Sequence, residues 1–168
     1  MTTRTWLALA TGIGGLLSTA ATGPLPASRT PLDDSDASLC TPAETPLAVC
    51  TIGRKRVSIC SQGKTSVYRY GQPGRIELVA SDLYWASTGY SGGGELQVTA
   101  RNKGHSYTLF DRIVRTGFGA DGLNHPKADS GLVVRRGAKI VSARQCNLVQ
   151  PIAAEVRERL PEGGMVEH

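Results

Sequence analysis

From Leu47 onward the chain is a succession of short β-branched and apolar runs cut by glycine-containing turns. This rhythm constrains the fold more than any other feature. Strands of ordinary length joined by tight turns pair antiparallel with their sequence neighbours. Leu47–Ile52 and Arg56–Ser61 flank the hairpin signal Gly53-Arg54-Lys55, and Thr65–Tyr70 ends at the turn cluster Gly71-Gln72-Pro73-Gly74. Arg75–Ala80 alternates, while Asp82–Thr88 reads ambiguously. Glu95–Arg101 alternates cleanly, sending Leu96, Val98 and Ala100 inward and Gln97, Thr99 and Arg101 outward. Ser106–Arg115 forms another strand, residues 116–130 a long polar loop, and Gly131–Arg135 with Lys139–Arg144 a last hairpin. Pro151–Leu160 predicts a short helix with Ile152, Val156 and Leu160 on one stripe. The expectation is an all-β fold: a small antiparallel barrel or sandwich of about eight short strands with a C-terminal helix and two disulfides.

The N-terminus sets the compartment. Arg4 precedes the apolar run Trp6–Leu17, and the small residues Ser18 to Thr22 follow, which is the order of a signal peptide. The competing membrane helix is disfavoured, because Gly12, Gly14 and Gly15 interrupt a run shorter than the ~20 apolar residues of a span. Residues 1–21 are therefore read as a signal peptide and 22–46 as a flexible Pro/Asp/Ser-rich leader. Residues 47–168 form a single β domain with its helix from about 151. The mature chain is expected to be periplasmic or secreted, with no membrane span. The last residue, His168, is expected to be disordered.

Cys40, Cys50, Cys60 and Cys146 all lie beyond the signal, and an even number in an oxidising compartment implies two disulfides. Their spacing lacks the C-x-x-C of a metal site. Four cysteines allow three connectivities, among which Cys50–Cys146 would tie the first strand to the last.

Charge is segregated. Residues 51–150 hold 15 Lys or Arg against 6 Asp or Glu, whereas residues 28–50 and 151–168 are net acidic. A basic β core suits solvated faces or an anionic partner. Outside the cytoplasm nucleic acid is not the expected partner; lipid phosphates, acidic glycans, peptidoglycan or an acidic protein cleft are the candidates.

Catalytic signals are weak. Ser106 or Ser130 with His125 and Asp129 supplies the residue types of a triad, but no nucleophile elbow holds a serine. Gly117 to Gly122 spells G-x-G-x-x-G, yet Leu-Asn-His-Pro follows and opens no helix for a phosphate. Asp121, Asn124 and Asp129 match no calcium loop. Neither a cofactor nor a metal is expected, and the chain is read as non-enzymatic.

The least ordinary short element is Tyr90-Ser91-Gly92-Gly93-Gly94-Glu95. Its plain reading is a hairpin connection. Its functional reading is a slim tip presenting backbone groups to a narrow cleft, with Tyr90, Tyr84 and Trp85 as rigid anchors.

Two resemblances follow. Cys50, the run Lys55-Arg56-Val57-Ser58-Ile59-Cys60, the segment Tyr68 to Leu78 and the strand ending at Cys146 resemble an uncharacterised exported bacterial β-domain family, which brings no function with it. More distantly, an exported disulfide-tied barrel with a Ser-Gly loop is similar to bacterial inhibitors of c-type lysozyme. In those proteins a Ser-Gly-Ser-Gly loop enters the lysozyme cleft and meets the catalytic carboxyls. Ser91, Gly92 and Gly94 correspond to that loop, and Gly93 stands where it carries its second serine. The resemblance implies a non-catalytic binder of lysozyme or another cell-wall hydrolase, with Arg101 or Lys103 available to pair with cleft carboxylates. The alternative is a basic module for anionic envelope components.

Overall fold

The computed structural model describes residues 38–168; residues 1–37, on which the expected signal peptide (1–21) and most of the expected leader fall, lie outside the described residues. Ten strands follow in chain order: β1 (Thr45–Ile52), β2 (Lys55–Gln62), β3 (Thr65–Gln72), β4 (Arg75–Ala80), β5 (Asp82–Tyr90), β6 (Gly93–Asn102), β7 (His105–Val114), β8 (Lys127–Arg136), β9 (Lys139–Gln145) and β10 (Asn147–Gln150). One helical turn, α1 (Val156–Arg159), closes the list. Every hairpin except β7–β8 turns within two residues. At the β6–β7 turn both central residues, Lys103 and Gly104, have positive φ (47° and 76°), as a type I′ hairpin requires.

The strands form two five-stranded antiparallel sheets, β10-β1-β2-β3-β4 and β5-β6-β7-β8-β9. The chain changes sheet twice, between β4 and β5 at Ser81 and between β9 and β10 at Cys146. The sheets do not close on each other, so of the two expected architectures the sandwich is the one formed. Val57, Ile59 and Tyr68 from the first sheet meet Val98, Ala100, Leu109 and Leu132 from the second in one core. Cys50–Cys146 is bonded inside it, and Cys40–Cys60 is the other disulfide.

Both outer faces are also covered in part, which strand alternation alone does not announce. On the first sheet, residues 38–44 lie over Ser58 and Arg69: the Leu39 N–H donates to Ser58 Oγ at 2.9 Å, and Arg69 binds Glu44 through both nitrogens at 2.5 and 2.9 Å. The end of the leader is therefore held by more than its disulfide, and β1 starts at Thr45.

On the second sheet the last eight residues act as a strap. The Trp85 N–H donates to the Pro161 carbonyl (3.0 Å) and the Gly163 N–H to the Trp85 carbonyl (2.8 Å), adding a short parallel pairing at the free edge of β5. The strap then crosses the face. Buried Gln97 donates to the Val166 carbonyl at 2.9 Å and accepts from the Val166 N–H at 2.8 Å. His168 stacks on Phe110 (3.9 Å between centroids) and bonds Glu95 at 2.8 Å, so the terminal histidine is packed, contrary to expectation.

Beyond shifts of one or two residues at strand ends, four segments differ from the sequence reading. The first is Asn147–Gln150, not expected as a strand, which pairs with β1. The loop expected over 116–130 gives up its end to β8, which starts at Lys127 because Val114 to His105 offers a full ladder of partners. The ambiguous 82–88 segment becomes β5. The helix expected over 151–160 shrinks to Val156–Arg159, because the Ala153 N–H is taken by the Leu47 carbonyl (2.8 Å), which holds its start extended. Its apolar stripe still packs: Ile152 and Val156 are buried and Leu160 lies against the core.

The Glu44–Arg69 pair makes stability pH-dependent. Hydrogen bonds from the Arg69 guanidinium hold the Glu44 carboxyl at about 2, down from about 4.5. A depressed carboxylate contributes above its unfolded value and loses that contribution as pH falls from about 4.5 to about 2, here about 1–2 kcal/mol after screening of a surface pair. Urea unfolding across that range should show the loss in the wild type and not in Glu44→Gln. Equal acid sensitivity of both would refute the assignment.

Candidate functional site

The glycine turn sits at the end of the β5–β6 hairpin, and its glycines answer to packing. The Tyr90 ring folds over Gly93, where an added Cβ would lie 2.6 Å from the ring and 2.0 Å from the Ile113 carbonyl oxygen. The Tyr90 hydroxyl donates to that same carbonyl at 2.8 Å. Gly92 has φ +81° and faces the Arg115 side chain, 3.0 Å from the position of an added Cβ. Gly94 faces the Thr88 carbonyl in the same way, at 3.0 Å. Tyr90, Ser91 and Gly92 are exposed at the tip.

Around that tip gathers a group separated in sequence. Arg115 donates to Ser91 Oγ at 3.4 Å, and its guanidinium lies 5.8 Å from the centre of the Phe118 ring. Phe118 is 69% exposed, Leu123 61%, Ile113 51% and Tyr90 44%, so this end of the second sheet and the loop after β7 carry exposed apolar side chains, with Phe118 beside the arginine. Tyr84 and Trp85, expected as further anchors, take no part. Tyr84 is buried beneath Arg101, 4.5 Å away, and Trp85 packs on the core with Arg157 5.6 Å from its ring.

Gly93 and Gly94 also line a cavity of about 530 Å³ with Leu96, Asp111 and Arg157. Burial there pushes the Asp111 carboxyl above the usual range, against the opposing hydrogen bond from the Ile152 N–H. Asp111 was missed at the sequence level, since nothing marks a lone aspartate in a strand as inward-facing.

Arg101 and Lys103 do not join this surface. They lie at the other end of β6 and in the turn beyond it, about 30 Å from Gly93 along a ten-residue strand. There they line a cleft of about 440 Å³ with Asp82, His105 and Ser106. His105 Nδ1 lies 3.2 Å from the Lys103 carbonyl. The residues expected to form one binding surface are thus divided between two ends of one sheet.

The triad candidates are not assembled. His125 pairs with Asp121 at 2.6 Å, and Asp121 is held below the usual range first by the Leu123 N–H and then by His125. Asp129 is taken by Arg112 at 2.9 and 2.5 Å, and Ser130 donates to the Cys146 carbonyl at 2.9 Å. Ser106 sits in the cleft at the opposite end. The G-x-G-x-x-G run lies in a loop folded on itself by Gly119 N–H to the Leu123 carbonyl (2.8 Å), with no helix behind it. Among the described residues, the one group converging like metal ligands is Cys40, Glu44 and Cys60, whose sulfurs are bonded to each other and whose carboxylate is held by Arg69.

No family model, curated protein or solved structure matches the chain. Among the described residues no helix is long and apolar enough to cross a membrane.

Proposed function

We propose that this protein is an exported, non-catalytic binding domain that engages a partner protein through the tip of the second sheet. Lysozyme or another cell-wall hydrolase is its target. The observation that carries this reading is the exposure of Tyr90, Ile113, Phe118 and Leu123 at the end of the sheet that carries Arg115, with Phe118 beside its guanidinium. Exposed aromatic and aliphatic side chains beside an arginine have the composition of interface hot spots. Arg115, next to Ser91, is the group placed to meet cleft carboxylates, a role first expected of Arg101 or Lys103. The signal-like N-terminus and the two disulfides support export.

The cleft of Arg101, Lys103 and His105 supports a second reading, a module for anionic envelope components. Because the two surfaces lie at opposite ends of β6, substitutions separate them. Stoichiometric inhibition of a c-type lysozyme in a cell-wall lysis assay should weaken about tenfold or more in Phe118→Ala and Arg115→Glu, a loss of about 1.4 kcal/mol each. Arg101→Glu should leave it intact. Salt-sensitive binding to anionic vesicles, lost in Arg101→Glu and kept in Phe118→Ala, would overturn the first reading in favour of the second.

A further inference from the structure

A third feature belongs to neither end of the sheet. Between the two sheets, where β9 forms the free edge, lies a cavity of about 300 Å³. Leu132 and Val134 supply its apolar wall, and Tyr68, Tyr70 and Tyr107 supply its rings. These are three of the five tyrosines in the chain, in a protein poor in aromatics. The Tyr68 and Tyr107 rings lie 5.7 Å apart and tilted. Ser142 and Arg144, on the edge strand, add the polar part of the lining, and Arg144 is its one charged residue.

A second observation points the same way. Tyr68 is fully buried, and its hydroxyl has no hydrogen-bond partner among the described residues. Burial also drives its ionisation well above the usual phenol range, so it stays a donor. A phenol shielded from water and left without an acceptor is disfavoured by its lost hydration. Core packing alone would have been served equally by phenylalanine. An apolar space with a few convergent polar groups is the form of a small-molecule site.

We infer that this cavity binds a small amphipathic anion. Its aromatic or short aliphatic body sits between the sheets, its acidic head meets Arg144, and an oxygen on it accepts from Tyr68. The site is independent of the protein-binding tip.

The test uses 8-anilinonaphthalene-1-sulfonate as anionic probe and N-phenyl-1-naphthylamine as neutral counterpart, titrated into the folded protein by fluorescence and calorimetry. The expected result is saturable one-to-one binding of the sulfonate. Val134→Phe, which fills the cavity, should weaken both probes about tenfold or more. Arg144→Gln, on the exposed edge, should weaken the sulfonate several-fold and leave the neutral probe unchanged. Tyr68→Phe should keep the fold and lower affinity for the sulfonate. Binding that survives Val134→Phe in a protein of native circular dichroism, or that is lost in Phe118→Ala, would place the probe elsewhere and overturn the assignment. So would no binding at all, with Tyr68→Phe merely raising the urea midpoint.

Discussion

Replacing Cys50 and Cys146 together by alanine is expected to lower the unfolding free energy by about 4 kcal/mol, more than removal of the other disulfide. The two residues are 96 apart in sequence, so the bond closes a loop spanning most of the domain. In the chain-entropy account such a loop is worth about 4–5 kcal/mol, against about 3 kcal/mol for a loop of 20 residues like that of Cys40–Cys60. Position adds to length. Cys50 is buried in β1 of the first sheet, and Cys146 is the residue at which the chain leaves the second. The bond therefore clamps the sandwich at the crossing from β9 to β10. The Cys146 N–H on the Ser130 carbonyl (3.0 Å) and the Ser130 hydroxyl on the Cys146 carbonyl would remain as weaker ties.

Cys40→Ala with Cys60→Ala should cost less, about 2–3 kcal/mol, because Glu44–Arg69 and Leu39–Ser58 still hold the same segment. Urea unfolding of both double variants, fitted with their own slopes, decides the order. If the Cys40–Cys60 pair proved the costlier, loop length would not be what governs these bonds.

How much of this was legible in the sequence depends on which face of a strand is considered. The alternation of Leu96, Val98 and Ala100 in β6, and of Val57 and Ile59 in β2, marks the inner faces, and these residues do meet in the core. The same alternation sends Gln97 and Thr99 outward, toward solvent. Both are nevertheless buried: Gln97 bonds the Val166 backbone of the strap, and Thr99 Oγ1 lies 2.9 Å from Thr108 Oγ1 on β7. Period-two patterning reports only that a side chain faces away from the core. It carries no information about an irregular segment that returns to cover that face. Ser58, beneath Leu39, is the same case on the first sheet.

The candidate site was legible in part for a related reason. A turn signal such as Ser91-Gly92 is local, and it was read correctly. Arg115, Ile113 and Phe118 reach it only because β7 pairs with β6, bringing together residues more than twenty apart. Pairing also explains why Arg101 and Lys103, close to Gly93 in number, lie far from it in space: an extended strand is the conformation that separates sequence neighbours most.

Gly163→Val is expected to release the strap and cost about 2–3 kcal/mol, while Gly164→Val changes stability by no more than about 0.5 kcal/mol. The neighbouring positions make a controlled pair. A Cβ at Gly163 would lie 2.1 Å from Tyr84 Cδ2 and 2.6 Å from Cε2, whereas at Gly164 it would meet nothing within 4 Å. The Tyr84 ring is buried with the Arg101 guanidinium packed on it, so it has little room to yield. The strap must lift instead.

Lifting breaks the Gly163–Trp85 and Pro161–Trp85 pairing and then the two bonds between Gln97 and Val166. It also uncovers the Phe110 ring, on which His168 stacks. Water replaces the lost hydrogen bonds at small net cost, so most of the loss comes from apolar surface re-exposed around Tyr84 and Phe110. Hydrogen exchange at the Val166 amide reads the release directly: its protection should collapse in Gly163→Val and persist in Gly164→Val. Retained protection in both would mean that the strap is held by its crossing of the sheet face rather than by the glycine contact at the β5 edge.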